Sequence, residues 1–186
     1  MPDRRFLDFQ NTLNRTLNKT VSHARLLTLA SSTDPSVATI SYLPPGFRLP
    51  PFHPVPLGNG HFLGIRIRVR LSRRAATTEA ASISYWSSDE LMDENWIFRY
   101  DYEGAEAEAG GYQYPVAHLH INATPRSYRG AKPFPRLHFP TRRLSLEEII
   151  RHLIVEHDVP TLCPRDEALA FLEQQQEEFE KHRLGP

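Results

Sequence analysis

The sequence predicts a single α+β domain over residues 1–186, with one N-terminal helix, an antiparallel sheet of about five to six strands and two C-terminal helices. Two kinds of pattern support this class. Apolar residues recur with helical spacing near the N terminus and again after residue 145, whereas apolar–polar alternation fills the middle of the chain. The links between most alternating segments are short, which favours antiparallel neighbours.

The first element is a predicted helix from Phe6 to Ala30. Phe9, Leu13, Leu17 and Val21 recur every four positions and form an apolar stripe. Asparagines and threonines occupy the other face, and these residues are weak helix formers. The helix is therefore expected to depend on packing against the sheet.

Alternation then predicts the strands. The first four segments are Ser36–Leu43, His61–Leu71, Ala81–Trp86 and Trp96–Glu103, with a proline-rich wrapping loop between the first two. Two short alternating segments, AHLHIN and RLHF, follow within residues 114–141 and predict a hairpin.

The end of the chain is predicted to be helical. Ser145 and Glu148 have the spacing of a capping box, in which each side chain bonds the other residue's backbone amide. An apolar stripe follows, and Pro160 stands just beyond its end. A last helix is expected from about Pro164 to about His182, and its polar part from about residue 173 is expected to project into solvent or toward a partner.

The overall charge excludes nucleic-acid binding by a general basic surface. Lys plus Arg and Asp plus Glu are each 22, so the formal net charge is zero. Any anion site must therefore come from local clustering of arginine. The single cysteine, Cys163, excludes an intrachain disulfide, and we predict a cytoplasmic protein. Neither a signal peptide nor an apolar run of roughly 20 residues, the length of a membrane span, is recognised in the sequence.

If the apolar side of every strand faces the helices, the opposite side collects cations and histidines. Residues two apart on a strand share a face, so His118 and His120 are expected to lie together. The predicted face contains Arg66, Arg68, Arg70, Arg99, Asp101, Glu103, His118, His120, Asn122, Arg136 and His138.

Such a face has the groups needed to cleave a phosphodiester. Histidine exchanges protons near neutral pH, so His118 and His120 are the expected general acid and base. Asp101 is expected to orient an imidazole, and arginine stabilises charge on phosphate oxygens. The expected substrate-binding residues are Arg99, Arg136, His138 and Arg68. Solvated arginines paired with carboxylates on an exposed sheet are the ordinary alternative.

A metal site is a further alternative. The His-x-His of residues 118–120 presents two imidazoles on one face, and His138 offers a third. No HExxH motif is present, and Asn122–Arg129 contains no glutamate to complete a cupin-like set.

Three motifs resemble the TumE-type toxins of prokaryotic toxin–antitoxin pairs. They are Arg-Tyr-Asp on the strand at residues 96–103, Pro-x-x-His-x-His at residues 115–120, and Ser-Leu-Glu-Glu at residue 145. The resemblance covers about a third of the chain, residues 96–159. It implies a ribonuclease-like toxin fold with helices on one face of an antiparallel sheet. The residues it carries over are Arg99, Asp101, His118 and His120.

The leading hypothesis is a metal-independent ribonuclease without a cofactor, the toxin of a toxin–antitoxin pair. RNA is then the expected substrate, a cognate antitoxin or a second copy of the chain the expected protein partner, and no membrane is involved. The alternatives are a non-catalytic interaction or nucleic-acid-binding protein and a His-ligated metalloprotein.

Overall fold

The structure is a computed structural model that describes residues 3–47, 52–72, 75–90, 95–104, 116–122 and 137–183. Its helices are α1 (Arg4–Thr20), α2 (Leu146–Glu156) and α3 (Arg165–Arg183). Its strands are β1 (Leu26–Ala30), β2 (Val37–Tyr42), β3 (Val55–Pro56), β4 (Phe62–Leu71), β5 (Ala76–Trp86), β6 (Trp96–Glu103), β7 (Ala117–Ile121) and β8 (Leu137–Pro140).

The predicted α+β class is confirmed, and within the described residues the sheet has eight strands rather than five or six. Its order is β1-β2-β4-β5-β6-β7-β8, and β3 pairs with β4 outside this path. Every pairing is antiparallel. The two extra strands are β1, within the predicted first helix, and β3, within the predicted proline-rich loop.

The prediction that the first helix continues to Ala30 is wrong, because α1 ends at Thr20. The chain turns back and Leu26–Ala30 pairs with β2. Asn14 of α1 fixes the start of this strand: its Nδ2 donates to the Leu26 carbonyl at 3.2 Å, and the Leu26 amide donates to its Oδ1 at 2.7 Å. Asn14 is thus buried, although its sequence position suggested the polar face of the helix.

The helices α1, α2 and α3 share one hydrophobic core with the sheet. The buried side chains of α1, α2 and α3 pack with those of the alternating strands. The buried core includes Phe6, Leu17, Ile65, Ile67, Ile83, Tyr100, Ile150, Leu153, Ala168 and Leu172. The helices therefore cover the apolar side of the sheet and leave the other side for polar groups.

The capping box of α2 is present as predicted, with Ser145 accepting from the Glu148 amide and Glu148 accepting from the Ser145 amide. The segment before the helix is tied to β6, because the Leu144 amide donates to the Tyr100 hydroxyl at 2.9 Å. The position of α2 is therefore linked to the strand that carries Arg99 and Asp101.

Part of the polar end of α3 packs against the rest of the chain, and the projection of its remainder into solvent or toward a partner stays a prediction. Gln175 is buried, and Gln176 donates to Glu148 at 3.2 Å. Glu180 pairs with Arg142 at 3.2 Å. Polar side chains here bind the segment before α2 and the start of that helix, so their polarity does not indicate a free surface. Among the described residues, no helix is long and apolar enough to cross a bilayer.

Candidate functional site

The register of β6 and β7 brings the predicted catalytic residues and the predicted phosphate ligand Arg99 into adjacent pairs. Asp101 lies opposite His118, and Arg99 lies opposite His120. The alternating partners on β6, Phe98 and Tyr100, are buried in the core on the other side of the sheet. The alternation of these strands therefore places all four polar residues on one face.

Asp101 is the centre of this group. Arg99 Nε donates to Asp101 Oδ2 at 2.7 Å, and His120 Nε2 lies 3.0 Å from the same oxygen. Arg99 Nη2 lies 3.4 Å from His120 Nε2. One carboxylate oxygen thus joins a guanidinium and an imidazole, which fixes the orientation of both.

The two imidazoles are buried rather than displayed on the surface. His118 is 7% exposed and His120 is 3% exposed, and their ring centroids are 4.7 Å apart in an edge-to-face arrangement. The shared face predicted for these two histidines is therefore a buried one at β7. Part of the reason is local, because the Arg99 side chain lies against His120 and the two rings pack on each other.

The structure bears only in part on the remaining hairpin residues. His138 lies on β8 directly opposite His120 in the strand register. Arg136 lies outside the described residues. Their predicted roles in binding substrate stay predictions.

A groove of about 1160 Å³ runs across the sheet beside this group, and Arg99 and Asp101 form part of its wall. It exists because β5 carries small residues on this face, with Ala80, Ser82 and Ser84 at its lining, between the long side chains of β4 and β6. His118 and His120 are adjacent to the groove through Asp101 and Arg99, and are not themselves part of its lining.

Arg68 lines the groove as predicted but is engaged by a carboxylate. Its Nε lies 2.5 Å from Glu79 Oε2, and Arg70 donates to the other oxygen of Glu79. The strand register shifts between Arg68 and Val69, which pair with Ala80 and Thr78. Glu79 lies between these two partners on β5. The hydrogen bonds that Arg70 donates to Glu79, and then the one that it donates to Asp34, raise the pKa of Arg70 above its ordinary value.

Arg66 was predicted on the polar face but without a binding role, and it is the arginine of this groove that has no carboxylate partner among the described residues. Among the described residues it makes no ion pair within 4.0 Å, and its guanidinium carbon lies 5.6 Å from the Phe52 ring centroid. Trp86 also lines the groove, and its Nε1 donates to Ser84 Oγ at 2.6 Å. The sequence did contain a signal for Trp86, because it follows Ser82 and Ser84 at the spacing of one strand face.

A second histidine group lies near the start of β4 and the end of α2. His61 Nδ1 is 2.6 Å from the Tyr85 hydroxyl, which also accepts from Asn59 Nδ2 at 3.0 Å. The rings of Tyr85 and His157 are 5.0 Å apart. Burial, and then the electrostatic influence of the neighbouring His152 and His61, lower the pKa of His157 below its ordinary value of 6.5. His61, His152 and His157 thus belong to one cluster of rings around Tyr85, in which the ring centroids of His152 and His157 are 5.4 Å apart.

The group on β6 and β7 could also bind a metal ion. Asp101, His118 and His120 each offer one ligand atom, and these atoms all lie within 4.8 Å of one another. Two imidazoles and a carboxylate suit zinc or non-haem iron. A metal would have to share Asp101 with the Arg99 guanidinium, and this competition disfavours cation binding.

Comparison with known proteins returned no relative. No protein-family model, no curated protein and no solved structure matches this chain.

Proposed function

We propose that this protein is a metal-independent ribonuclease, which cleaves the phosphodiester bonds of RNA by acid–base catalysis. We further propose that it acts as the toxin of a toxin–antitoxin pair. One observation carries the catalytic part. Asp101 Oδ2 holds both Arg99 and His120 at the wall of an arginine-lined groove. This arrangement puts a cation for the phosphate next to an imidazole whose orientation is fixed by a carboxylate.

In the proposed reaction one imidazole removes the proton of the ribose 2′-hydroxyl, and the oxygen attacks the adjacent phosphorus. The other imidazole protonates the departing 5′-oxygen, so a 2′,3′-cyclic phosphate and a free 5′-hydroxyl are formed. His118 and His120 fill these two roles, and Asp101 stabilises the imidazolium of His120. No cofactor is required, because each proton removed by one imidazole is matched by a proton supplied by the other.

Arg99 has two tasks in this proposal. Its side chain is 40% exposed, whereas that of Asp101 is 16% exposed, so the guanidinium can reach a phosphate in the groove. Its Nη2 also lies 3.4 Å from His120 Nε2, so the proposed phosphate contact and the imidazole are adjacent. Arg136 and His138 remain proposed phosphate contacts on their sequence positions alone.

The direct test is cleavage of a labelled single-stranded RNA in buffer with EDTA. The His118→Ala, His120→Ala and double variants are expected to lose about 10²–10⁴-fold in rate, the usual contribution of general acid–base groups. His23→Ala is the matched control, because His23 is exposed on the loop after α1. Circular dichroism verifies the fold of each variant. A double variant as active as the parent protein refutes the proposal.

The metal-binding arrangement of Asp101, His118 and His120 supports a second candidate function, a metal-dependent hydrolase. Elemental analysis of protein purified without a metal-affinity tag distinguishes the two. Stoichiometric metal, together with loss of cleavage in EDTA that zinc or iron restores, favours this second candidate. Cleavage that persists in EDTA favours the first.

The toxin role is tested in cells. Induced expression of the parent protein is expected to arrest growth, and expression of the His118→Ala/His120→Ala variant at the same level is not. Equal arrest by both proteins contradicts a toxin that acts through these histidines.

A further inference from the structure

The three groove arginines differ in how fully their charge is neutralised. Arg68 is paired with Glu79, and Arg99 is paired with Asp101. Arg66 is exposed and has no such partner among the described residues, and its guanidinium instead lies over Phe52. A guanidinium held against an aromatic ring keeps its hydrogen-bond donors directed outward for an anion.

Arg66 is separated from the catalytic group by one strand. It lies opposite Ser82 on β5, and Ser82 lies opposite Asp101 on β6. The two backbones are thus two strand spacings apart, about 9.5 Å. Only the short Ser82 side chain stands between them in this row, so a ligand can touch both ends.

The size of the groove exceeds what one nucleotide needs. Its volume of about 1160 Å³ is larger than the roughly 300–1,000 Å³ of a pocket for one drug-sized ligand. Its lining also includes the aromatic rings of Phe52 and Trp86. Aromatic rings stack on bases only where the bases are unpaired, which favours a single strand over a duplex.

Resting on the proposed ribonuclease function, we infer that Arg66 and Phe52 form a second nucleotide subsite, which binds a phosphate flanking the scissile bond. The substrate is then single-stranded RNA longer than a dinucleotide, and it runs across β4, β5 and β6. The phosphate binds Arg66 while the adjacent base lies in the aromatic part of the groove. Arg68, which was predicted to bind substrate and is paired with Glu79, is not part of this subsite.

The test measures binding separately from cleavage. Fluorescence anisotropy is recorded with a ten-nucleotide 2′-O-methyl RNA, which lacks the attacking hydroxyl, and with the corresponding dinucleotide. Arg66→Ala is expected to weaken binding of the ten-nucleotide strand about tenfold, as for loss of one hydrogen-bonded charge contact, and binding of the dinucleotide less than twofold. The slope of log K against the logarithm of the salt concentration is expected to become shallower by about 0.7, because one phosphate contact is lost.

Two further variants sharpen the result. Arg25→Ala removes an exposed arginine outside the groove and is the matched control, expected to change neither affinity. Glu79→Gln frees Arg68 and Arg70, and is expected to strengthen binding of the longer strand.

The outcomes separate this inference from the ribonuclease proposal. If Arg66→Ala leaves the affinity for the ten-nucleotide strand unchanged, or weakens both ligands equally, the second subsite is refuted even where His120→Ala abolishes cleavage. If Arg66→Ala weakens only the longer strand while the parent protein cleaves no RNA, the subsite stands and the ribonuclease proposal fails.

Discussion

Asn14→Ala tests whether one side chain of α1 holds the edge of the sheet. Asn14 makes hydrogen bonds to both the amide and the carbonyl of Leu26, a residue that is fully buried. Each bond contributes about 1–1.5 kcal/mol, and an unpaired buried amide adds to the loss. The greater helix propensity of alanine returns about 0.5 kcal/mol, so the free energy of unfolding is expected to fall by about 2 kcal/mol.

The assay is urea-induced unfolding followed by circular dichroism, together with the melting temperature, which is expected to fall by about 4–8 °C for a chain of this size. Asn11→Ala is the matched control, because it makes the same change at an exposed position of the same helix. That control is expected to be neutral or slightly stabilising. If both variants unfold at the same urea concentration, the hydrogen bonds between Asn14 and Leu26 do not contribute to the free energy of unfolding, and the prediction is refuted.

Two further predictions concern tight packing and pH. A Cβ added at Gly64 would collide with Ser84 Oγ, so Gly64→Ala is expected to cost about 1–3 kcal/mol in urea unfolding, and an unchanged midpoint contradicts the packing described. The pKa of His157 is lowered by burial and by His152 and His61, so its contribution to stability is fully present above pH 6.5 and is lost as the pH falls through the lowered pKa. Unfolding midpoints from pH 8 to pH 5 are expected to fall less in His157→Gln than in the parent, and parallel curves contradict this.

Much of the fold could be predicted because the local patterns agree with the tertiary structure. The alternation at residues 96–103 and the capping box at Ser145 both appear with the expected bounds. The error at β1 has a physical cause. The apolar residues of Leu26–Ala30 continue the helical stripe of the sequence. They form a strand because they pair with β2 and because Asn14 accepts a hydrogen bond from the Leu26 amide.

The residues of the candidate site could be predicted from the sequence, but the burial of its two imidazoles could not. Alternation placed Arg99, Asp101, His118 and His120 on one face, because this requires only the side-chain period of two residues. The burial of the imidazoles depends on which strands are neighbours. That information is not in the local pattern.

The groove required non-local information as well. It arises from a size contrast between three neighbouring strands, in which β5 supplies serines between the arginines of β4 and β6. The availability of Arg66 depends in turn on Phe52, which comes from the loop before β4. Neither relation can be recognised before the strand order is known.

Strands β6 and β7 contribute side chains to both the core and the candidate site, and this limits where the chain can gain or lose residues. Losing one residue inside β6 would exchange the two sides of the strand, so that Phe98 and Tyr100 enter the groove while Arg99 and Asp101 enter the core. A single deletion would thus remove the candidate site and bury charges at once. Insertions and deletions are therefore expected only at the connections between strands, and within β6 and β7 diversity is confined to substitutions.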